Sequence, residues 1–190
     1  MQNNMLGKNA LIFENEKGDY KDIIACLPEG VKPSKKLLKG KTDIKKFDVE
    51  DYCLCTCDLT NTEPIANNIP LDDPKVIEDI AESINFMAKL RERFPNCPLV
   101  IITKMPIRWL RDHFDTLIRK NYTDILGIFG NDCINVYQEL NTSKDQLFGV
   151  VYESEKVHIV IKPKSAKNNK DAIEQWKKDF RKYLVNKVLT

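Results

Sequence analysis

The chain has 190 residues, 42% of them hydrophobic and 31% charged, with a formal net charge of +2. That is enough to bury one substantial core and too little for two, and so balanced a charge excludes polyanion binding through bulk electrostatics. No signal core or membrane span is visible, because Met1 to Gly7 is polar and the apolar run Ala10 to Phe13 is far shorter than a spanning helix. A single domain over residues 1–190, soluble and cytoplasmic, is expected, although the sequence does not say whether it belongs to a longer protein.

Asn9 to Phe13 reads as a buried strand and Asp22 to Cys26 as a second. Lys32 to Lys46 is linker-like and basic: Lys32, Lys35, Lys36, Lys39, Lys41, Lys45 and Lys46 face a single acid, Asp43. Tyr52 to Cys57 is the third strand, and Asn61 to Asp73 a second linker. At Asp72-Asp73-Pro74 a helix begins that buries Val76, Ile77, Ile80, Ile84, Met87 and Leu90 and ends before Pro95.

Pro98 to Thr103 reads as a strand. The helix that follows starts near Pro106 and carries Trp109, Leu110, Phe114, Leu117 and Ile118. The pattern leaves open whether it runs through Thr123 to Phe129 or gives way there to a strand, and Gly127 and Gly130 place an end nearby. Ile134 to Tyr137 reads as a further strand and Asn141 to Asp145 as a linker. A closing helix begins at Asn168 or Asn169 and buries Ile173, Trp176, Phe180, Leu184 and Val188, leaving Lys170, Lys177, Lys178, Arg181 and Lys182 outward. Strands without polar alternation, separated by amphipathic helices, predict an α/β fold: a three-layer sandwich with about five parallel strands flanked by helices.

The six cysteines, Cys26, Cys53, Cys55, Cys57, Cys97 and Cys133, sit in or beside apolar runs and read as reduced, buried thiols. The two-residue period puts Cys53, Cys55 and Cys57 on one side of their strand, but three such ligands span about 13 Å, too far for one tetrahedral ion. No metal site is expected. There is no Gly-rich phosphate loop or zinc-finger spacing, so no cofactor is expected either.

In an open α/β sheet, chemistry gathers at the carboxyl ends of the strands. The third strand ends in Cys55-Thr56-Cys57-Asp58-Leu59, and Glu155-Lys156-Val157-His158 stands well downstream, before the closing helix. These two blocks, with the passage Glu92 to Ile102 between them, resemble the SGNH (GDSL-type) hydrolase superfamily, whose sheet is flavodoxin-like. The resemblance implies that Cys57 stands where the family has its oxyanion-holding asparagine, Glu155 where it has its acid and His158 where it has its base. The family's nucleophilic serine has no counterpart. Gly18-Asp19-Tyr20 puts Tyr20, a poor nucleophile at neutral pH, in its place, and Gly30 stands for the second-block glycine.

A thiol at position 57 is also a weak oxyanion donor. The expectation is therefore a degenerate, non-catalytic domain. Among SGNH-like proteins it is similar to the esterase-like domain of retrotransposon first open reading frames and to the C-terminal domain of Oskar, which binds RNA without catalytic residues. RNA or a ribonucleoprotein is the implied partner, contacted through Lys35, Lys36, Lys39, Lys41 and Lys45 together with Lys177, Lys178 and Arg181 of the closing helix. Two alternatives stand beside this reading: an esterase using Cys57 or Tyr20 with His158, and a protein-interaction adaptor of unknown oligomeric state.

Overall fold

The computed structural model describes residues 8–34, 43–49, 52–60, 73–130, 136, 138, 149–163 and 169–189. Its centre is a six-stranded sheet of β1 (Asn9–Phe13), β2 (Lys32–Pro33), β3 (Tyr52–Asp58), β4 (Leu99–Thr103), β5 (Gly149–Glu153) and β6 (Val157–Ile161), in the order β2-β1-β3-β4-β6-β5. All neighbours pair in parallel except β5, which joins β6 as an antiparallel edge. Without that edge strand, the order is that of the flavodoxin-like doubly wound sheet.

Helices α2 (Pro74–Arg93) and α3 (Ile107–Phe129) cover one face, while α1 (Lys17–Cys26) and α4 (Lys170–Tyr183) cover the other. Leu11, Phe13, Cys55, Cys57, Leu99, Ile101, Ile159 and Ile161 face α2 and α3; Ala10, Ile12, Leu54, Val100, Ile102 and Val160 face α1 and α4. Burial on both faces explains why these strands read without polar alternation.

The local signals for α2 hold. Asp73 caps it by accepting the Lys75 amide at 2.8 Å, Pro74 occupies its first turn, and Val76, Ile80, Ile84, Met87 and Leu90 are buried. The second long helix continues through Phe129, with a break at Asn121, whose side chain donates to the Leu117 carbonyl, and a cap at Gly130 with φ of 60°. It packs closely on α2: a Cβ on Gly127 would lie 3.4 Å from that of Ala88, and Asn85 bonds Asp124 at 3.0 Å.

Three expectations are corrected and one hairpin is added. Asp22 to Cys26 is the end of α1 and not a strand. Tyr20, Ile23, Ile24 and Leu27 recur at helical spacing and pack on the α4 side, and the second strand comes later and is only two residues long. The hairpin β5–β6 was not read at all. Of the expected strand 134–137 only Val136 is described, and it is buried and helical. Finally, the three strand cysteines do not share a side: a register shift opposite Asn9 and Ala10 turns Cys53 toward α1 and α4, while Cys55 and Cys57 face α2.

Candidate functional site

At the carboxyl edge the chain leaves β1 into Glu14, β3 ends on Asp58, β4 leads into Lys104 and β6 into Lys162. Phe13 is in register with Cys57, Asp58 with Ile102, and Ile102 with Val160. By the two-residue alternation, Glu14, Asp58, Lys104 and Lys162 all belong to the face covered by α1 and α4. Asp19, in the first turn of α1, completes the group. Glu14, Asp19, Asp58 and Lys162 are each 5% exposed or less.

The lysines sit between acids. Lys162 Nζ bonds Asp19 and, at 2.6 Å, Asp22, and lies 5.6 Å from the centroid of the Trp176 ring. Lys104 bonds Asp19 and, at 2.9 Å, Glu16. Lys177 of α4 closes the outer side, 3.0 Å from Asp22 and 2.8 Å from Glu174. Burial pushes the Asp19 carboxyl up, but hydrogen bonds and charge from Lys104 and Lys162 outweigh it and hold it below the ordinary value. Burial works against the charge on Lys104, yet its bonds to Asp19 and Glu16 raise it above the ordinary lysine range.

Glu14 and Asp58 behave differently. Burial, reinforced by the neighbouring Asp58 charge, pushes the Glu14 carboxyl up to about 8, although its Oε1 accepts the amides of Asn15 and Glu16 at 2.9 and 3.0 Å. Burial pushes Asp58 up to about 6 against the opposing pull of Lys104 and of Thr60, whose amide and hydroxyl both donate to it. At neutral pH the edge thus holds a protonated acid beside a carboxylate. The adjacent hydroxyls are engaged: that of Thr60 by Asp58, and that of Thr103, which accepts the Met105 amide at 3.0 Å. The lysines are consumed by ion pairs.

The residues singled out from the sequence are not brought together. Tyr20 lies on α1 and donates to the Ser34 carbonyl. Gly30, with φ of 88°, occupies the third position of the turn closed by the Val31 amide on the Pro28 carbonyl; it precedes β2 and so lies at the amino edge. Glu155 is exposed in the turn between β5 and β6, also at the amino edge.

Cys57 is fully buried toward α2 and α3, whereas His158, in register with Val100, faces α4. The two side chains stand on opposite faces of the sheet. His158 shares a face with Lys162 but lies four residues earlier along β6, about 13 Å away. There its Nδ1 is 2.7 Å from the Tyr183 hydroxyl, and burial depresses the imidazole to about 4. Tyr183 itself is pushed above the ordinary tyrosine value, by burial first and then by Glu153. A neutral histidine in a packed hydrogen-bond network is the result.

Lys35, Lys36, Lys39 and Lys41 lie outside the described residues. Lys45 is exposed in a short 3-10 turn, Ile44–Lys46, whose apolar neighbours pack on the α2 side, while Lys178 and Arg181 are exposed on α4 across the sheet. Lys177 is taken up by Asp22 and Glu174, and Glu174 raises it above the ordinary lysine value. Glu14, Asp19, Lys104 and Lys162 were missed by sequence reasoning. The available signal was an ionisable residue directly after each of three buried strands. Among the described residues no group of three or more His, Cys, Asp or Glu is placed to hold a metal ion, and none of the described helices is long and apolar enough to cross a membrane.

No family model and no curated protein matches the chain. Among solved structures, it is similar to an acetyl xylan esterase from the rumen bacterium Butyrivibrio proteoclasticus at 12% identity and a TM-score of 0.46; the match covers 96% of this chain and 64% of the esterase's length.

Proposed function

We propose that this chain is a non-catalytic α/β domain that acts by binding a macromolecule, RNA or a ribonucleoprotein. The observation that supports this reading most is the state of the carboxyl edge. Where ester hydrolysis needs a nucleophile in contact with a base, the chain places a closed set of ion pairs, Lys162 and Lys104 on Asp19, with Glu14 and Asp58 behind them. The wholly apolar pocket lined by Leu59, Met87, Ile101, Leu110, Leu117 and Ile159 offers nothing that would orient an ester.

Function then moves to the outer surface. Lys178, Arg181 and Lys182 recur at helical spacing on the exposed side of α4, and none of them makes an ion pair among the described residues. The test is fluorescence anisotropy with single-stranded RNA across a salt series, comparing the chain with a Lys178→Glu/Arg181→Glu/Lys182→Glu variant. Each phosphate contact to a single strand carries about 0.7 in the slope of log affinity on log salt, so losing three flattens it by about 2. Salt-dependent binding that the variant loses supports the reading. Absence of binding, equal binding by the variant, or turnover of a short acyl ester by the same preparation overturns it.

A further inference from the structure

A different observation concerns the amino half of the sheet. Cys55, in the middle of β3, and Cys97, in the turn between α2 and β4, are buried with their sulfurs 3.6 Å apart. The pairing of β3 with β4 fixes this approach: Cys55 is in register with Leu99, two residues beyond Cys97, and the Cys55 amide donates to the Pro98 carbonyl at 2.9 Å. The turn is anchored by the Cys97 amide on the Phe94 carbonyl and by Arg91, whose Nη1 donates to the Cys97 carbonyl at 3.0 Å. Arg91 Nε is buried without a hydrogen-bond partner among the described residues. The Arg91 guanidinium is thus held beside the turn that carries Cys97.

We infer that Cys55 and Cys97 form a reversible dithiol–disulfide site that exchanges with low-molecular-weight disulfides. Closing from 3.6 Å to a bond of about 2 Å requires the 94–97 turn to move toward β3, and that turn is the part of the pair that precedes the first sheet hydrogen bond, made by the Pro98 carbonyl. Cys97, at the turn, is the entry point. Its thiolate attacks the disulfide of oxidised glutathione and displaces one glutathione thiolate, leaving a mixed disulfide on Cys97. The Cys55 thiolate then attacks the Cys97 sulfur and displaces the second glutathione. Two protein thiols are oxidised, one disulfide is reduced to two thiols, and the two protons leave with the glutathione. The hydrogen bond to Cys97, followed by burial, holds the Cys55 thiol well above the ordinary range while Arg91 pulls the other way, so exchange is slow and proceeds through opening of the turn.

The test is equilibration of the native chain in mixtures of reduced and oxidised glutathione, acid trapping, alkylation of remaining thiols and peptide mapping by mass spectrometry. The expected product is a Cys55–Cys97 linked peptide, lighter by two hydrogens. It should disappear in Cys55→Ala and in Cys97→Ala, return to thiols in reduced mixtures, and raise the thermal midpoint by several degrees by tying α2 to β3. The same series in urea below the unfolding transition separates poor access from poor geometry. Persistence of alkylatable Cys55 and Cys97 there, or glutathione that stays on Cys97 unresolved, overturns the inference.

Discussion

Replacing Glu14 by glutamine tests the electrostatics of the carboxyl edge most sharply, because it removes the ionisable proton while keeping an oxygen for the Asn15 and Glu16 amides. A carboxyl raised from 4.5 to about 8 by folding favours the native state while it is protonated. Its stabilising contribution is therefore present below the unfolded value and is lost as pH rises toward the folded one. At 1.36 kcal/mol per pH unit, the loss between pH 4.5 and pH 8 has a ceiling of about 5 kcal/mol. Asp58, raised from 3.8 to about 6, adds loss in the same direction over a lower window. Urea unfolding of both proteins at about pH 5 and about pH 8 isolates Glu14 together with its coupling to Asp58, since the more distant titrations are common to the two. The variant should lie within about 1 kcal/mol of the parent at the lower pH and exceed it by several kcal/mol at the higher. A difference that does not change with pH, or a variant less stable at pH 8, refutes the assignment of Glu14 as a protonated acid.

Two further outcomes follow from the same network and its neighbour. Lys162→Met leaves Asp19 and Asp22 short of a buried cation and should cost about 3 kcal/mol in urea unfolding with an unchanged slope, the low end of the range for a broken buried pair because Lys104 still holds Asp19; a loss below about 1 kcal/mol would show that the pair is solvated. Tyr183→Phe removes the hydroxyl beside His158 Nδ1 and strands that nitrogen in the core, so the domain should lose about 1–3 kcal/mol, read as a lower thermal midpoint.

Much of the scaffold was already legible as a linear pattern. Asn9–Phe13, Tyr52–Asp58 and Leu99–Thr103 lack polar alternation because each is buried on two faces, α2 announces itself by apolar spacing and by the turn chemistry at its start, and α4 by apolar spacing. These are local properties, decided within a turn of helix or a few strand residues. The short segment Asp22-Ile23-Ile24-Ala25-Cys26 satisfied a strand and a helix equally well, and only packing against α4 made it helix. The hairpin β5–β6 escaped because Val157 to Ile161 was taken up into a motif whose outline placed His158 beside a helix and not within a strand.

The candidate site divides in the same way. Asp58 could be named from the sequence because it ends a recognisable strand, and the absence of a serine nucleophile was visible in the residues after β1. That Glu14, Asp58, Lys104 and Lys162 form one cluster was not visible, for they come from four strands whose adjacency depends on the order β2-β1-β3-β4-β6-β5 and on register. Alternation then decides which face each side chain takes, and it separates Cys57 from His158, two residues that the linear text had paired. Composition and periodicity determined the elements and the α/β class, because those follow from short-range sterics and burial. The tertiary structure alone decided which charges meet, because that depends on strand order and register, which no local pattern encodes.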